Sequence, residues 1–395
     1  MRIALLAPDI IPSWGGVGTY TYNLVNNLPK SIDIHIITID RNINFSNNER
    51  WNENVKIHRI TKISSYESFF YNLKFQLAVL INLKQLHKKY HFDLIHSHAG
   101  HLPHLFSQFQ EIAPLVVTVH GETKGSNLAR KGLKYQEDKT EFLHDFFSRY
   151  IELGEKINYQ KADWLLPISE FTLKQINQNY HTNITKKAHV IHNGVDTERF
   201  KPIDNDIHNP LCITFIGRLY SIKGLDIFID ALSFIKKLGY NIQVKFLGRG
   251  NRKYLDSVCS SVLDKNSYSI TGMIDYNAMP YIYQQSDVVV LPSVYEGCSG
   301  TILETLSSGK IAIASNAGGT PEIIKHGYNG LLFESRKPLD LADRILDVIE
   351  KRIDINQLKQ NARNTAVNQF SWKDKSKEVY QDYLKILRKE KTISG

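Results

Sequence analysis

Runs of branched apolar residues alternate with amphipathic segments along nearly the whole chain. In the first half the apolar runs predict strands at Arg2–Ala7, Asp33–Ile39, Val55–Ile60, Phe92–His96, Leu115–His120, Trp164–Ile168 and Ala188–His192. Between them, helical periodicity predicts Thr19–Leu28, Ser65–Lys89, Glu141–Lys161 and Glu170–Tyr180. The strands are close to continuously apolar, as expected where both faces of a parallel sheet are covered. Strand–helix alternation of this kind predicts a doubly wound α/β sheet.

The pattern breaks at Asp196–Pro210, a polar stretch with two prolines and no period, which reads as an interdomain linker. A second alternating set follows. Strands are predicted at Cys212–Ile216, Gln243–Leu247, Ser267–Ile270, Val288–Leu291, Ile311–Ala314 and Gly330–Phe333. Helices are predicted at Gly224–Lys237, Arg252–Leu263, Asn277–Gln285, Thr301–Ser307, Pro321–His326 and Leu339–Glu350, with a long amphipathic tail helix at Lys373–Lys389. The expected division is therefore residues 1–200, residues 201–372, and a terminal helix at 373–395 that packs back toward the first domain. Ligands of open parallel sheets lie beyond the carboxyl ends of the strands, so chemistry is sought there.

Composition narrows the class. The chain has 395 residues, 42% hydrophobic and 23% charged, which suits a globular protein of about two domains. Its net charge of +9 is spread over both halves, which argues against a nucleic-acid tail and fits an anionic small substrate or an anionic membrane surface. Three scattered cysteines form no metal or disulfide pattern and indicate a reducing compartment. The N-terminus becomes polar too early for a signal peptide, and no apolar run approaches a membrane span. A cytoplasmic protein is expected, one whose contact with a membrane, if any, is peripheral and on its inner face.

Candidate chemistry clusters after strands. In "PSWGGVGTY", Gly15, Gly16 and Gly18 allow close backbone approach at a helix start, where free N–H groups favour anions, but the dinucleotide fingerprint is absent. In "FIGRLYSIKGL", Gly217 is followed by Arg218 and Lys223, two cations suited to a diphosphate. "VVTVHGE" ends a strand on His120, placed either to bond a substrate oxygen or to sit satisfied in the core. His91, His96, His98, His101 and His104 form a cluster that reads as donors lining a polar cleft, with a metal site the weaker alternative. The Asp-Asn-Asp at 204–206 has metal-holding spacing but sits in the polar linker.

The most informative stretch is "LPSVYEGCSGTILETLSSGKIAIAS". Glu296 lies in the loop after a buried strand, and Gly297, Cys298, Ser299 and Gly300 make a corner whose N–H groups can face an oxygen-rich ligand. Ile302, Leu303 and Leu306 form the apolar stripe of the next helix, and Glu304 lies off it; periodicity leaves open whether it faces water or a cleft. A carboxylate is acceptor-only and can hold the vicinal hydroxyls of a sugar or ribose.

These motifs, with "PISE", "HNGVDTERFKP", "GGTPEII" and the closing "FSW", run in order over nearly the whole chain, which resembles a retaining glycosyltransferase of family 4. The resemblance implies a GT-B fold, two Rossmann-like doubly wound α/β domains facing a cleft. It implies transfer of a hexose from a UDP- or GDP-sugar to a glycan or lipid-linked acceptor in cell-surface polysaccharide or glycoconjugate synthesis, without a cofactor or metal. By the same resemblance Glu296 contacts the transferred sugar, Glu304 the ribose, Arg218 and Lys223 the leaving diphosphate, His120 the reacting centre, and Gly16 the phosphate. Cys298, where many relatives carry an aromatic or apolar residue, and the long Gly121–Lys161 segment depart from the family pattern. A non-hydrolysing epimerase of similar fold and a silent nucleotide-sugar-binding partner are the alternatives.

Overall fold

The structure, a computed structural model, describes residues 1–10, 15–40, 51–62, 71–98, 109–133, 138–203 and 207–393. Expectations placed on residues 65–70, His101, His104 and Asp204–Asp206 lie outside the described residues. The chain divides into two compact units, one of Met1–Asn127, Asp138–Asn193 and Trp372–Gly395, the other of Leu128–Glu137 and Gly194–Ser371.

In chain order the first stretch carries β1 (Arg2–Leu6), α1 (Gly16–Asn27), β2 (Asp33–Asp40), β3 (Val55–Lys62), α2 (Tyr71–Tyr90), β4 (Leu94–Ser97), β5 (Leu115–Val119), α3 (Thr123–Arg130), α4 (Asp138–Lys161), β6 (Trp164–Pro167) and α5 (Glu170–Tyr180). All six strands are parallel, in the order β3-β2-β1-β4-β5-β6. Successive side chains of β1 go to opposite faces, as the strand repeat of two requires. Ile3 and Leu5 join Tyr20 and Leu24 of α1, while Ala4 and Leu6 join Phe75 and Val79 of α2. The predicted strand Ala188–His192 is only an isolated bridge at Ala188, with His189 and Ile191 donating to the carbonyls of Leu165 and Pro167. It borders β6, but the outer side of the segment finds no further strand to continue the ladder among the described residues.

The second stretch carries β7 (Leu211–Ile216), α6 (Leu225–Lys237), β8 (Ile242–Leu247), α7 (Arg252–Ser260), β9 (Tyr268–Thr271), α8 (Met279–Gln284), β10 (Val288–Leu291), α9 (Gly300–Ser307), β11 (Ile311–Ser315), α10 (Thr320–Ile323), β12 (Leu331–Phe333), α11 (Pro338–Ile349) and α12 (Ile355–Gln369). Its parallel sheet runs β12-β11-β10-β7-β8-β9. Read from its own first strand, this repeats the order of the first sheet. Both units are thus Rossmann-like doubly wound sheets, the pair expected for GT-B. The last helix, α13 (Trp372–Ile393), places Trp372, Val379, Tyr383 and Ile386 in the core formed with β1 and α1 of the first unit.

The segment read as a linker is built into the second unit where it is described. Asp196 accepts from the amides of Glu198 and Arg199 through Oδ1, and Phe200 is fully buried against Tyr276 and Tyr283. The Arg363 guanidinium donates to the carbonyls of Thr197, Phe200 and Ser307, each at 2.9 Å. Phe200→Ala removes this aromatic anchor, so the second unit is expected to lose about 3–5 kcal/mol of stability. Urea unfolding of the variant beside the parent chain measures the loss.

Candidate active site

A doubly wound sheet reverses its strand order once, and the helices leaving the two central strands diverge there, so the loops above that point stay uncovered. In the second unit this point lies between β7 and β10. The loop after β7 runs through Gly217, Arg218 and a short turn at Ser221–Lys223 into Gly224 and α6. The loop after β10 carries Glu296 to Ser299, the residue that caps α9. The Val294 amide donates to the Ile222 carbonyl at 3.0 Å and ties the loops together.

Glycines permit the close backbone contacts of this region. A Cβ on Gly224, whose φ is 73°, would lie 1.9 Å from the Pro292 carbonyl oxygen. One on Gly248 would lie 1.7 Å from the Gly217 oxygen, locking the turn after β8 against the turn after β7. Gly318 is at φ 61° with its Cα against the Glu296 carbonyl, which also accepts from the Gly319 amide at 2.9 Å. The backbone of Glu296 is therefore held from the neighbouring β11 loop.

Lys223 Nζ donates to Glu296 Oε2 at 2.6 Å, with 24% and 15% of the two side chains exposed. The ammonium keeps two further N–H donors and the carboxylate three further lone-pair directions for a ligand. Arg218 is exposed, with its guanidinium 5.9 Å from the Tyr220 ring centre, and forms no ion pair among the described residues. Gly297, Cys298 and Ser299 are buried and Gly300, the first residue of α9, is exposed. Glu304 turns away from the apolar stripe of α9 and accepts from Tyr283 Oη at 2.6 Å. Burial pushes its carboxyl up to about 7, against the opposing pull of Tyr283, Arg199 and Tyr276. Such a carboxyl sits at the edge of ionisation and gains from any hydroxyl that donates to it. Tyr283, Tyr276 and Arg199 around Glu304 were not singled out by the sequence: Tyr283 falls in the predicted helix Asn277–Gln285 and Arg199 in the predicted linker.

The first unit has its own reversal, between β1 and β4. His98, just past β4, places Nδ1 3.1 Å from Nε2 of His120, just past β5. Tyr20 of α1 meets both rings edge-on, at centroid distances of 5.1 and 4.7 Å. Gly16 opens α1, and an added Cβ there would meet nothing within 4 Å. His96 does not line a cleft, contrary to expectation. It is fully buried, with Nδ1 2.6 Å from Tyr383 Oη and Nε2 2.8 Å from Thr118 Oγ1. Burial lowers His96 to about 3 and His120 to about 4, so both rings are neutral near pH 7. Among the described residues no group of three or more His, Cys, Asp or Glu is placed to hold a metal ion.

The loop after His120 is anchored by two buried carboxylates at the start of α3. Glu155 accepts from the Thr123 amide at 3.0 Å and hydroxyl at 2.8 Å, and Glu122 accepts from the Gly125 amide at 2.7 Å. Together they satisfy N–H groups that a helix start leaves without internal partners. Burial raises Glu155 from its ordinary value near 4.5 to about 7. Between those two values the folded chain holds a proton that the unfolded chain releases. The stability contributed by this group is therefore full below pH 4.5 and is lost as pH rises through about 7. Glu155→Gln is expected to flatten the fall in melting temperature across that window, measured by scanning calorimetry of both chains from pH 5 to 8.

Comparison with known proteins follows the same division. The family described as "Glycosyl transferases group 1" matches residues 196–365, and "Glycosyltransferase Family 4" matches residues 14–199. An uncharacterized glycosyltransferase of Methanocaldococcus jannaschii is 28% identical over 93% of this chain and 94% of its own length. The UDP-Gal:alpha-D-GlcNAc-diphosphoundecaprenol alpha-1,3-galactosyltransferase of Escherichia coli is 29% identical over 77% of this chain and 79% of its own. Among solved structures, the sucrose-phosphate synthase of Thermosynechococcus elongatus superposes with a TM-score of 0.80 at 19% identity, covering 98% of this chain and 99% of that one. HepE of Anabaena, solved in complex with UDP-glucose, gives 0.71 at 18% identity, covering 97% of this chain and 99% of that one.

Proposed function

The chain belongs to the glycosyl transferases group 1 family, and on that premise we propose a retaining transferase that moves a hexose from a nucleoside-diphosphate sugar to a glycan or lipid-linked acceptor. The observation that carries this reading is the Lys223–Glu296 pair above the strand reversal of the second sheet. It sets a cation and a hydroxyl-accepting group side by side, as an anionic leaving group and a sugar require. The E. coli galactosyltransferase and the UDP-glucose complex of HepE support a UDP-sugar as the first donor to try.

The difficult event is breaking the bond between the anomeric carbon and the diphosphate oxygen. Negative charge grows on that oxygen as the sugar becomes cationic. Lys223 and Arg218 take up this charge, assisted by amides at the start of α9. Such donors act where charge develops and need little reorganisation. Glu296 accepts hydroxyls of the transferred sugar and Glu304 the ribose hydroxyls. The acceptor hydroxyl adds on the face from which the diphosphate departs, and its proton passes to that diphosphate, so configuration is retained. No step is assigned to a metal ion.

A donor screen tests the reading. UDP-, GDP- or ADP-sugars that bind the folded chain raise its melting temperature. With the donor so identified, Arg218→Ala and Lys223→Ala are each expected to lower kcat by about 10²–10³-fold, the loss typical of one oxyanion donor. Their melting temperatures are expected to stay close to that of the parent chain. Failure of every donor to shift melting, or near-normal turnover in both variants, removes the proposal.

A lipid-linked acceptor is favoured by one surface. Leu73, Leu77 and Ile81 recur every fourth residue on α2 and are 40%, 48% and 67% exposed. Exposed Lys74, Lys84 and Lys88 accompany this stripe. An apolar helix face with basic neighbours suits the surface of an anionic bilayer. The chain is expected to float with vesicles containing anionic phospholipid but not with neutral ones, and Ile81→Asp is expected to abolish flotation.

A further inference from the structure

The two histidines at the strand reversal of the first unit make one hydrogen-bonded pair, and its geometry determines where the protons sit. His98 Nδ1 and His120 Nε2 are 3.1 Å apart, so one of the two nitrogens donates and the other accepts. His98 is 4% exposed, and its Nε2 is buried with no hydrogen-bond partner among the described residues. If His120 donated, a neutral His98 would carry its proton on Nε2, leaving a buried N–H without an acceptor. If His98 donates from Nδ1, only an unused lone pair is left there. Native structures avoid the first outcome far more strictly than the second. The tautomer is thereby assigned from the bonding pattern.

We infer that His98 is a positioning residue that fixes His120 as the neutral Nδ1–H tautomer, so that His120 offers a hydrogen-bond donor rather than a base to its ligand. This rests on the transferase reading, in which the family resemblance sets His120 at the reacting centre. Nδ1 of His120 has no partner among the described residues, and His120 itself is only half-buried. The rings cannot turn freely, because Tyr20 stands edge-on to both and is itself edge-on to Trp372 at 4.9 Å. Protonation does not upset the arrangement near neutral pH, since burial holds His98 and His120 below their ordinary values. A neutral donor suits an oxygen of an uncharged sugar, where a base would remove a proton that the reaction leaves in place. His98 was visible in the sequence only as one of a cluster, and its distinct part comes from the register that sets β4 beside β5.

Nitrogen-15 spectra of ring-labelled histidine test this directly, with the His120 signals assigned through His120→Asn. In the parent chain His120 is expected to show a protonated Nδ1 and an unprotonated Nε2. In His98→Ala the balance is expected to move toward Nε2–H, with kcat falling roughly 10- to 100-fold, by analogy with metal-bound histidines that lose an orienting partner. His98→Asn, whose side-chain N–H can take the place of Nδ1–H, is expected to restore both the tautomer and most of the turnover. An Nε2–H tautomer in the parent chain, or no tautomer change in His98→Ala, overturns the inference. The parent spectrum alone suffices should His98→Ala fail to fold. The spectra require no turnover, so absence of activity with every donor would count against the transferase reading and leave the tautomer result to stand or fall by itself.

Discussion

Each sheet can reverse its strand order only once, and that reversal is the constraint on which the rest depends. Parallel strands are covered on both faces by crossover helices, so most of their loops are closed over. Where the order turns, between β1 and β4 and again between β7 and β10, the helices part. The chain answers the exposed gap with small residues and charged groups. Gly224, Gly248 and Gly318 let backbones touch where any side chain would collide. Those contacts in turn hold Lys223 and Glu296 in a pair without spending either side chain on scaffolding.

Much of this was legible in the sequence, because parallel strands give the strongest local signal. Val288–Leu291 and Glu170–Tyr180 have the bounds expected of them, and most other elements differ only at their ends. The failures have local causes. Ala188–His192 has strand-like composition, but only one side of it meets a partner. Helix α12 was unforeseen because its buried stripe is Leu358, Ala362 and Ala366, two of them alanines, among asparagines and glutamines. Its start depends on Asp354, whose carboxylate accepts from the Gln357 amide, a cap that becomes convincing only once the helix is known. Helix α3 was missed because Glu155, one of the two carboxylates that anchor its first turn, comes from α4, and the other, Glu122, is held by Asn179 of α5.

The site was legible in residue type more than in arrangement. A Glu after one strand and a Gly and Lys after another could be read from the sequence, and the pairing of β7 with β10 sets Glu296, Lys223 and Gly217 on neighbouring loops. The setting of Glu304 could not be read so, since Tyr276 and Tyr283 reach it from the segment before β10 and Arg199 acts on it from the segment before β7. Nor could the burial of His96 between Thr118 and Tyr383, a residue 287 positions away. Long-range contacts leave no period in a sequence, and the burial they bring is the larger cause of the shifted ionisation of Glu304 and His96.

Residues 194–371 leave the first unit and α13 rejoins it, so the first unit is assembled from stretches at opposite ends of the chain. Its core needs Trp372, Val379 and Tyr383, which leave the ribosome only after the whole second unit. The second unit has all its strands available earlier. During synthesis, therefore, the later-coded Rossmann unit is complete before the earlier-coded one, and the nascent first unit must wait with one face of its sheet, Ile3, Leu5 and Leu24 included, short of its final cover.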